Sequence, residues 1–372
     1  MSKRNAPGIT IEAKALSTTL ATAVNLVERR STIPILGNVL IDADQKTGRL
    51  LVSATDLERQ VYIDVAADIP QSVKATAPAH MLSDIAKRLN GDVLLAFDNS
   101  ADRLDISSGA SRFALRTLPG ADFPELASKV DGPRFEIEVT ALRYLLDSTA
   151  VAMSTEETRY YLNGVFLHLH KGSLRCVATD GHRLVLAETA APEGSAGMPS
   201  VIIPRRTVGE LRRLLAGLSG TVTLGISPTV FTFERDGLRL MSKLIDGTYP
   251  DYARVMPDVS QANVVTVDAK QLVQSVERVS IVADKAVKLI CQDQSIQIDA
   301  RNPEGNDASD TLEAEISGQD VTVGVNGRYL TDCIGALNPD DRVSLLIRDA
   351  SAPLMMRVAD SPTQVVLMPM RV

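Results

Sequence analysis

Apolar residues along this chain follow two rhythms that alternate in blocks. After Ile11 they fall at Leu16, Leu20, Val24 and Val27; after Ile137 at Leu142, Leu145, Leu146 and Val151; after Val267 at Leu272, Val276, Val279 and Val282. A recurrence every three or four residues is the period of a helix with one buried stripe. It predicts helices over 13–30, 140–153 and 269–282, and shorter stripes predict three more over 79–89, 204–215 and 327–337. Between them the rhythm changes to two. Runs at 48–54 and 60–66, 164–169 and 173–178, and 287–291 and 295–300 alternate apolar with polar residues, as antiparallel strands with one buried face do.

The blocks recur in register. Leu16 to Leu82 and Leu142 to Val208 both span 66 residues, and Leu272 to Leu330 spans 58. LPGADFP at 118–124 and LIDGTYP at 244–250 lie 126 residues apart. The chain therefore reads as three copies of one domain-sized α+β unit, each with two helices and a strand-rich remainder. Breaker pairs at Gly132 and Pro133 and at Pro257 and Asp258 place the domains at 1–132, 133–257 and 258–372.

Charge changes meaning once it is divided this way. The whole chain of 372 residues carries 39 basic and 46 acidic side chains, a net −7 that argues against a uniformly basic nucleic-acid binder. The first two units are nearly balanced, and the third, with 10 basic against 17 acidic, holds the deficit. The six predicted helices go the other way, with 13 basic residues to six acidic ones. Gathered on one side, they would form a basic surface on an acidic body, the footprint of a polyanion partner; Lys and Arg also populate solvated helix faces for their helix propensity alone. Residues 304–315 contain Glu304, Asp307, Asp310, Glu313 and Glu315 and no base, whereas Arg103, Arg112 and Arg116 surround Phe113 in the first unit. That asymmetry suggests a head-to-tail contact between chains.

Candidate chemistry is sparse. Cys176, Cys291 and Cys333 are isolated thiols without a C-x-x-C pair, which favours a reducing compartment such as the cytoplasm. No apolar run suits a spanning helix, and the polar N-terminus has no secretory pattern. His168 and His170 share a strand face without a carboxylate cluster, so they read as surface strand residues and no metal or cofactor is expected. Asp180 and His182 in ATDGHRL could pair as acid and base in a hydrolase. However, Ala54-Thr55-Asp56 and Ala300-Arg301-Asn302 stand in the equivalent places, which makes Asp180 a turn-forming residue. At the C-terminus, VVLMPMRV places Pro369 where a strand must be at an edge or an end, so this segment is expected to finish a sheet and leave its last residues accessible.

With TIPILGNVL at 32–40, SRFALRTLPGADFP at 111–124, RYYLNGVF at 159–166, VATDGHRL at 177–184, SKLIDGTYPDY at 242–252 and VVLMPMRV at 365–372, the sequence resembles the bacterial β sliding clamp family, the processivity subunit of DNA polymerase III. The resemblance covers essentially the whole chain beyond its first six or so residues. It implies three clamp domains per chain and a head-to-tail homodimer forming a ring lined by twelve helices, whose opening of very roughly 25 Å passes a duplex. Such a ring encloses double-stranded DNA without reading its sequence, has no catalysis of its own, and tethers the replicative polymerase. The other possibility, a ring-shaped scaffold that never encloses DNA, differs only in that enclosure.

Residue by residue, the resemblance places a partner-peptide groove at Leu162, Thr179, Gly181, His182, Arg183 and Leu184, with Pro250, Arg254 and Val255 as a neighbouring wall. Val366, Leu367, Met368, Pro369, Met370 and Arg371 supply its tail. Short linear peptides of the polymerase, the clamp loader and repair proteins would insert Leu or Phe there. Arg30, Tyr160, Tyr161, Arg205 and Arg206 would face DNA, and Arg103, Arg112 and Phe113 would meet Ile281, Val282, Glu304, Asp307 and Asp310 across the dimer boundary.

Overall fold

The computed structural model describes residues 8–98, 101–126, 131–283, 285–337 and 342–372; the N-terminal extension noted above lies outside them. All six helices form: α1 (Ala13–Ala23), α2 (Ala79–Ala86), α3 (Val139–Thr149), α4 (Arg205–Leu215), α5 (Ala269–Val279) and α6 (Gly327–Leu337). Their buried positions repeat at helical spacing, as in Leu16, Leu20 and Ala23 of α1 or Leu272, Val276 and Val279 of α5. The alternating runs form strands too, at Arg49–Thr55 and Arg59–Ala66, Gly164–His170 and Ser173–Thr179, and Ala286–Gln292 and Ser295–Arg301.

Helix ends differ from the periodic pattern. The stripe reaches Val27, yet α1 stops at Ala23, because the Asn25 side chain donates to the carbonyls of Ala21 (2.7 Å) and Thr22 (3.3 Å) and the backbone tightens into three-residue turns. Leu26 and Val27 stay buried, while Arg29 and Arg30 stand outside the helix. Lys87 and Arg88 likewise follow α2. The helices proper thus carry nine basic and five acidic residues, a smaller surplus than the sequence pattern gave.

The chain folds into two compact units, residues 1–136 with 222–243, and residues 137–221 with 244–372. The first holds two sheets. One runs in the order Val73–Pro78, Asn38–Asp44, Arg49–Thr55, Arg59–Ala66, Leu238–Lys243, Val230–Arg235, Thr221–Ile226 and Arg134–Glu138. Its centre joins the first sequence repeat to the second, with Arg59 opposite Ser242 and Ile63 opposite Leu238. The other has four strands, Ile9–Glu12, Asp92–Asp98, Arg103–Ser108 and Ser111–Arg116, the last of which is one of its two edges.

The second unit repeats the plan. Nine strands run Val201–Pro204, Gly164–His170, Ser173–Thr179, Arg183–Ala190, Gln364–Leu367, Leu354–Arg357, Arg342–Ile347, Asn263–Asp268 and Glu315–Ser317. Here the second repeat joins the third, with Arg183 opposite Leu367. The remaining sheet is Asp307–Glu313, Ser295–Arg301, Ala286–Gln292 and Val321–Asn326, with Asp307–Glu313 at the edge. The C-terminal strand corrects one expectation: it lies inside a sheet, between Arg183–Ala190 and Leu354–Arg357, and ends at Leu367, so Pro369 never enters the ladder.

Cys176, Cys291 and Cys333 are buried free thiols, and burial raises all three, Cys291 and Cys333 to about 12. No helix among the described residues is long and apolar enough to cross a membrane. Phe231 and Phe233 are among the largest fully buried side chains of the first unit. Phe231→Ala is expected to lower the unfolding free energy in urea by about 3–5 kcal/mol. A loss below about 1 kcal/mol would remove this ring from the packing that holds the unit together.

Candidate functional site

The most distinctive local structure is a turn that occurs twice. Asp180 accepts from the backbone N–H of His182 (2.9 Å) and of Arg183 (3.0 Å), and Thr179 Oγ1 donates to the Arg183 carbonyl (2.7 Å). In the first repeat Asp56 accepts from Glu58 (3.1 Å) and Arg59 (2.7 Å), and Thr55 Oγ1 donates to the Arg59 carbonyl (2.8 Å). Each Arg returns a guanidinium bond to its own Asp, at 3.1 Å from Arg183 Nε and 2.7 Å from Arg59. Asn302 closes a wider turn in the third repeat, accepting from the N–H of Asn306, four residues on, at 2.9 Å. The residue after the Asp is left-handed in both Thr-Asp turns, Gly181 at φ 89° and Leu57 at φ 72°.

This geometry removes the hydrolase reading of Asp180 and His182. One carboxylate oxygen is held by two backbone N–H groups and the other by Arg183, while the His182 ring lies along Tyr329 at 6.1 Å. Arg183 is anchored again by Asp332 (2.8 Å) and sits 4.4 Å above the Tyr329 ring, so α6 fixes the far side of the turn.

Beside the turn opens an apolar cleft of about 240 Å³. Its floor is Leu162, Thr179, Leu184 and Val366, rooted in a buried cluster with Val177, Leu186, Ile202 and Tyr249. Gly181 and Arg183 form one rim, Pro250 and Val255 the opposite wall, and Met368 closes the end. Val366 faces the cleft and Leu367 is fully buried, as the two-residue period of a strand requires. His182, Arg254, Leu367, Pro369, Met370 and Arg371 lie outside its lining; Arg254 is exposed and bonded to Asp251 (3.0 Å). Past Leu367, Met368 N–H donates to the His182 carbonyl (2.8 Å) and Met370 N–H to the Gly324 carbonyl (2.7 Å), leaving Met368 and Val372 exposed.

Four lining residues have no counterpart in the sequence-based groove: Arg159, Asp251, Tyr252, and Tyr161, which was expected at DNA. Arg159 is bonded to Glu156 (2.7 and 2.9 Å), and this hydrogen bond holds the Glu156 carboxyl below its usual range. The wall itself stands on an aromatic stack. Tyr249 lies parallel to Phe166 at 4.7 Å, Phe166 stacks on His168 at 4.7 Å, and Tyr252 reaches His168 with its hydroxyl. His168 is therefore buried, not a surface strand residue; no group of three metal-ligating side chains occurs among the described residues.

The remaining candidates are spread over other surfaces. Arg30, Tyr160, Arg205 and Arg206 are exposed, the last two opening α4. Arg103 pairs with Asp105 (2.7 Å), and Arg112 donates to the carbonyls of Gly109 and Ser111. Phe113 lies on the edge strand Ser111–Arg116 and shares a recess with Met81 and Ile85. Ile281 is 85% exposed, Val282 partly so, and Glu304 and Asp307 are exposed. Asp310, assigned to the boundary between chains, is engaged within its own chain, accepting from Ser275 (2.7 Å) and Arg278 (2.5 Å).

Matched α+β repeats that share sheets, with one apolar cleft beside a C-terminal tail, define a clamp-type binding protein. Three family models match in chain order, the N-terminal, central and C-terminal domains of the DNA polymerase III beta subunit, over residues 8–127, 136–251 and 253–371. The chain is 41% identical to the beta sliding clamp of Caulobacter vibrioides strain NA1000, covering 98% of this chain and 100% of that one. It is 35% identical to the clamp of Pseudomonas aeruginosa, covering 97% and 99%. Among solved structures, the griselimycin-bound clamp of Bartonella birtlesii aligns with a TM-score of 0.92 at 39% identity over 98% of this chain and 99% of that one. The clamp of Caulobacter crescentus aligns with a TM-score of 0.92 at 42% identity over 98% and 100%. The chain belongs to the bacterial β sliding clamp family. It is a DNA polymerase III processivity factor of three α+β clamp domains, non-catalytic, with DNA and polymerase as its partners.

A Cβ at Gly181 would meet Arg159 Nη1 at 2.5 Å. Gly181→Ala is thus expected to displace Arg159 across the cleft and to cost about 1–2 kcal/mol in stability from backbone strain. A crystal structure of the variant with Arg159 unmoved would refute the steric half of this account.

Proposed function

We propose that two copies of this chain associate head to tail into a six-domain ring around duplex DNA, and that the cleft beside residues 368–372 receives short peptides of polymerase, clamp loader and repair proteins in the cytoplasm. One observation carries the ring. Within the chain, Arg59–Ala66 pairs with Leu238–Lys243, and Arg183–Ala190 pairs with Gln364–Leu367. The equivalent strands of the outer copies, Asp307–Glu313 and Ser111–Arg116, each end a sheet as an edge. An edge is a row of unpaired backbone donors and acceptors, and these two complete the series if they pair between chains.

Side chains on the two edges suit each other. Arg112 and Arg116 accompany Phe113 on one, and Asp307 and Glu313 lie on the other with Glu304 nearby. The recess of Phe113, Met81 and Ile85 would take Ile281 and Val282, so apolar burial supplies affinity and the charges supply register. Arg103 and Asp310 contribute less, since each is satisfied within its own chain. The domain boundaries near residues 132 and 257 belong to this reading; the family models leave gaps at 128–135 and at 252.

Inside the ring, exposed Arg30, Arg205, Arg206 and Tyr160 would meet phosphates without reading bases, so retention is topological and the contacts stay weak enough to slide. In the groove, Leu or Phe side chains of a partner would fill the floor at Leu162, Leu184 and Val366, with Met368 adapting to each. The clamps of Bartonella birtlesii and Pseudomonas aeruginosa are bound to griselimycin, which makes that compound a candidate ligand of this chain.

Removal of residues 368–372 is expected to abolish stimulation of the polymerase while sedimentation still gives a dimer. Processive synthesis by the truncated protein would sink the groove assignment. Arg205→Ala with Arg206→Ala is expected to weaken retention on nicked circular DNA, with a shallower salt dependence by roughly one to two phosphate contacts. Linearising the circle should release wild type and variant alike; retention of either on open-ended DNA would overturn enclosure.

A further inference from the structure

The outer wall of the cleft is not part of a sheet. Residues 250–255 run as a loop and a short turn, Tyr252–Val255, over the side of the nine-stranded sheet that carries Phe166 and His168, and the wall's place depends on what Tyr249 and Tyr252 grip. Tyr249 is held by the stack on Phe166. Tyr252 is held by polar contacts: its hydroxyl lies 3.1 Å from His168 Nε2 and 3.5 Å from Arg175 Nη1.

The Leu169 carbonyl, 3.2 Å from His168 Nδ1, can only accept, which puts the ring proton of a neutral imidazole on Nδ1 and leaves Nε2 as the lone-pair nitrogen. Nε2 then accepts the Tyr252 hydroxyl hydrogen, while the Tyr252 oxygen accepts from Arg175. Glu188 fixes Arg175 from the neighbouring strand at 2.5 Å. In this arrangement the imidazole is neutral.

We propose that His168, on the strand next to that of Thr179 and outside the cleft's lining, is a positioning residue for partner binding: it holds the wall of Pro250, Tyr252 and Val255 in its peptide-ready place through the Tyr252 hydroxyl. This rests on the groove being the peptide site. A protonated His168 would turn Nε2 into a donor, force the Tyr252 hydrogen to turn away, and set a second cation beside Arg175. The groups around the ring are Arg175 and, behind it, Glu188, together with His170 on its own strand and the Tyr252 hydroxyl from the wall. Burial, then the charge of Arg175 and the neighbouring His170, hold its pKa below the usual histidine value of 6.5. The sign follows: a wall that has let go leaves the ring free to take a proton more readily. As pH falls through 6.5 toward the lowered value, the latched wall loses ground and binding weakens.

The test is binding of a short rhodamine-labelled peptide ending in Leu-Phe, with blocked termini and no ionisable side chain, measured by fluorescence anisotropy on the full-length protein from pH 7.5 to 5.5. Wild type is expected to lose affinity across this range. His168→Phe and Tyr252→Phe should bind about three- to ten-fold more weakly at pH 7.5, the size of one lost hydrogen bond, with flat profiles. His168→Gln keeps an acceptor and does not titrate, so it should bind as wild type at pH 7.5 and hold that affinity at pH 5.5. A His168→Gln profile that still falls with wild type, by way of His182 for example, overturns the proposal, as does unaltered binding by His168→Phe. If His168→Phe fails to fold, the glutamine variant decides alone. Leu162→Asp separates the two readings: undiminished binding by that variant means that the groove, and not merely its latch, has been misassigned.

Discussion

Antiparallel sheets leave edges, and an edge strand exposes backbone groups that must find partners or invite unwanted ones. The architecture of this clamp is organised by that constraint. Each repeat contributes two halves of about four strands, and a half finds its partner in the neighbouring repeat, as Arg59–Ala66 does with Leu238–Lys243. Three repeats in a row satisfy two such junctions and leave one half at each end, with Ser111–Arg116 and Asp307–Glu313 as edge strands. On the proposed head-to-tail pairing, assembly would continue folding by the same rule, and exposed Phe113 and Ile281 would supply the apolar contact that a lone ladder lacks.

The groove grows out of the junction between the second and third repeats. Where Arg183–Ala190 meets Gln364–Leu367, the turn at one strand's start and the tail at the other's end lie side by side, and Leu184 and Val366 bring apolar side chains to the seam. The first junction has the same turn, yet Gln60 stands in the register place of Leu184 and accepts from Leu126 N–H (2.7 Å). Glu58 is bonded to Lys243 there (3.1 Å), across the position where the second junction has His182 and Met368. One junction is therefore sealed by polar contacts, and the other stays open and apolar.

Much of this was legible in the sequence because it is local. Helical and two-residue periodicity located all six helices and the paired strands, and the repeat identified Asp180 as a turn residue before any coordinate did. Helix ends were less legible: the stripe of α1 runs on through Leu26 and Val27 because both are buried, although Asn25 has already ended the helix. The interior position of Gln364–Leu367 was invisible, since a Pro two residues beyond a strand reads alike at an edge or at an exit. Arg159 and Tyr252 were missed for a different reason. They reach the cleft from a short turn and a loop that carry no period, and only the fold brings them to it.

Leu57 and Gly181 occupy one backbone conformation in two copies of one turn. A leucine bears that left-handed conformation in the first repeat, so the turn by itself does not demand glycine, even though a side chain there costs about 1–2 kcal/mol. At 181 an added Cβ would lie 2.5 Å from the far end of the Arg159 side chain, so a side chain there must move that guanidinium. The chain thus holds the same loop twice, once with a leucine at the first junction and once with a glycine beside the open cleft. Differences between the two copies separate what the fold requires from what the cleft added.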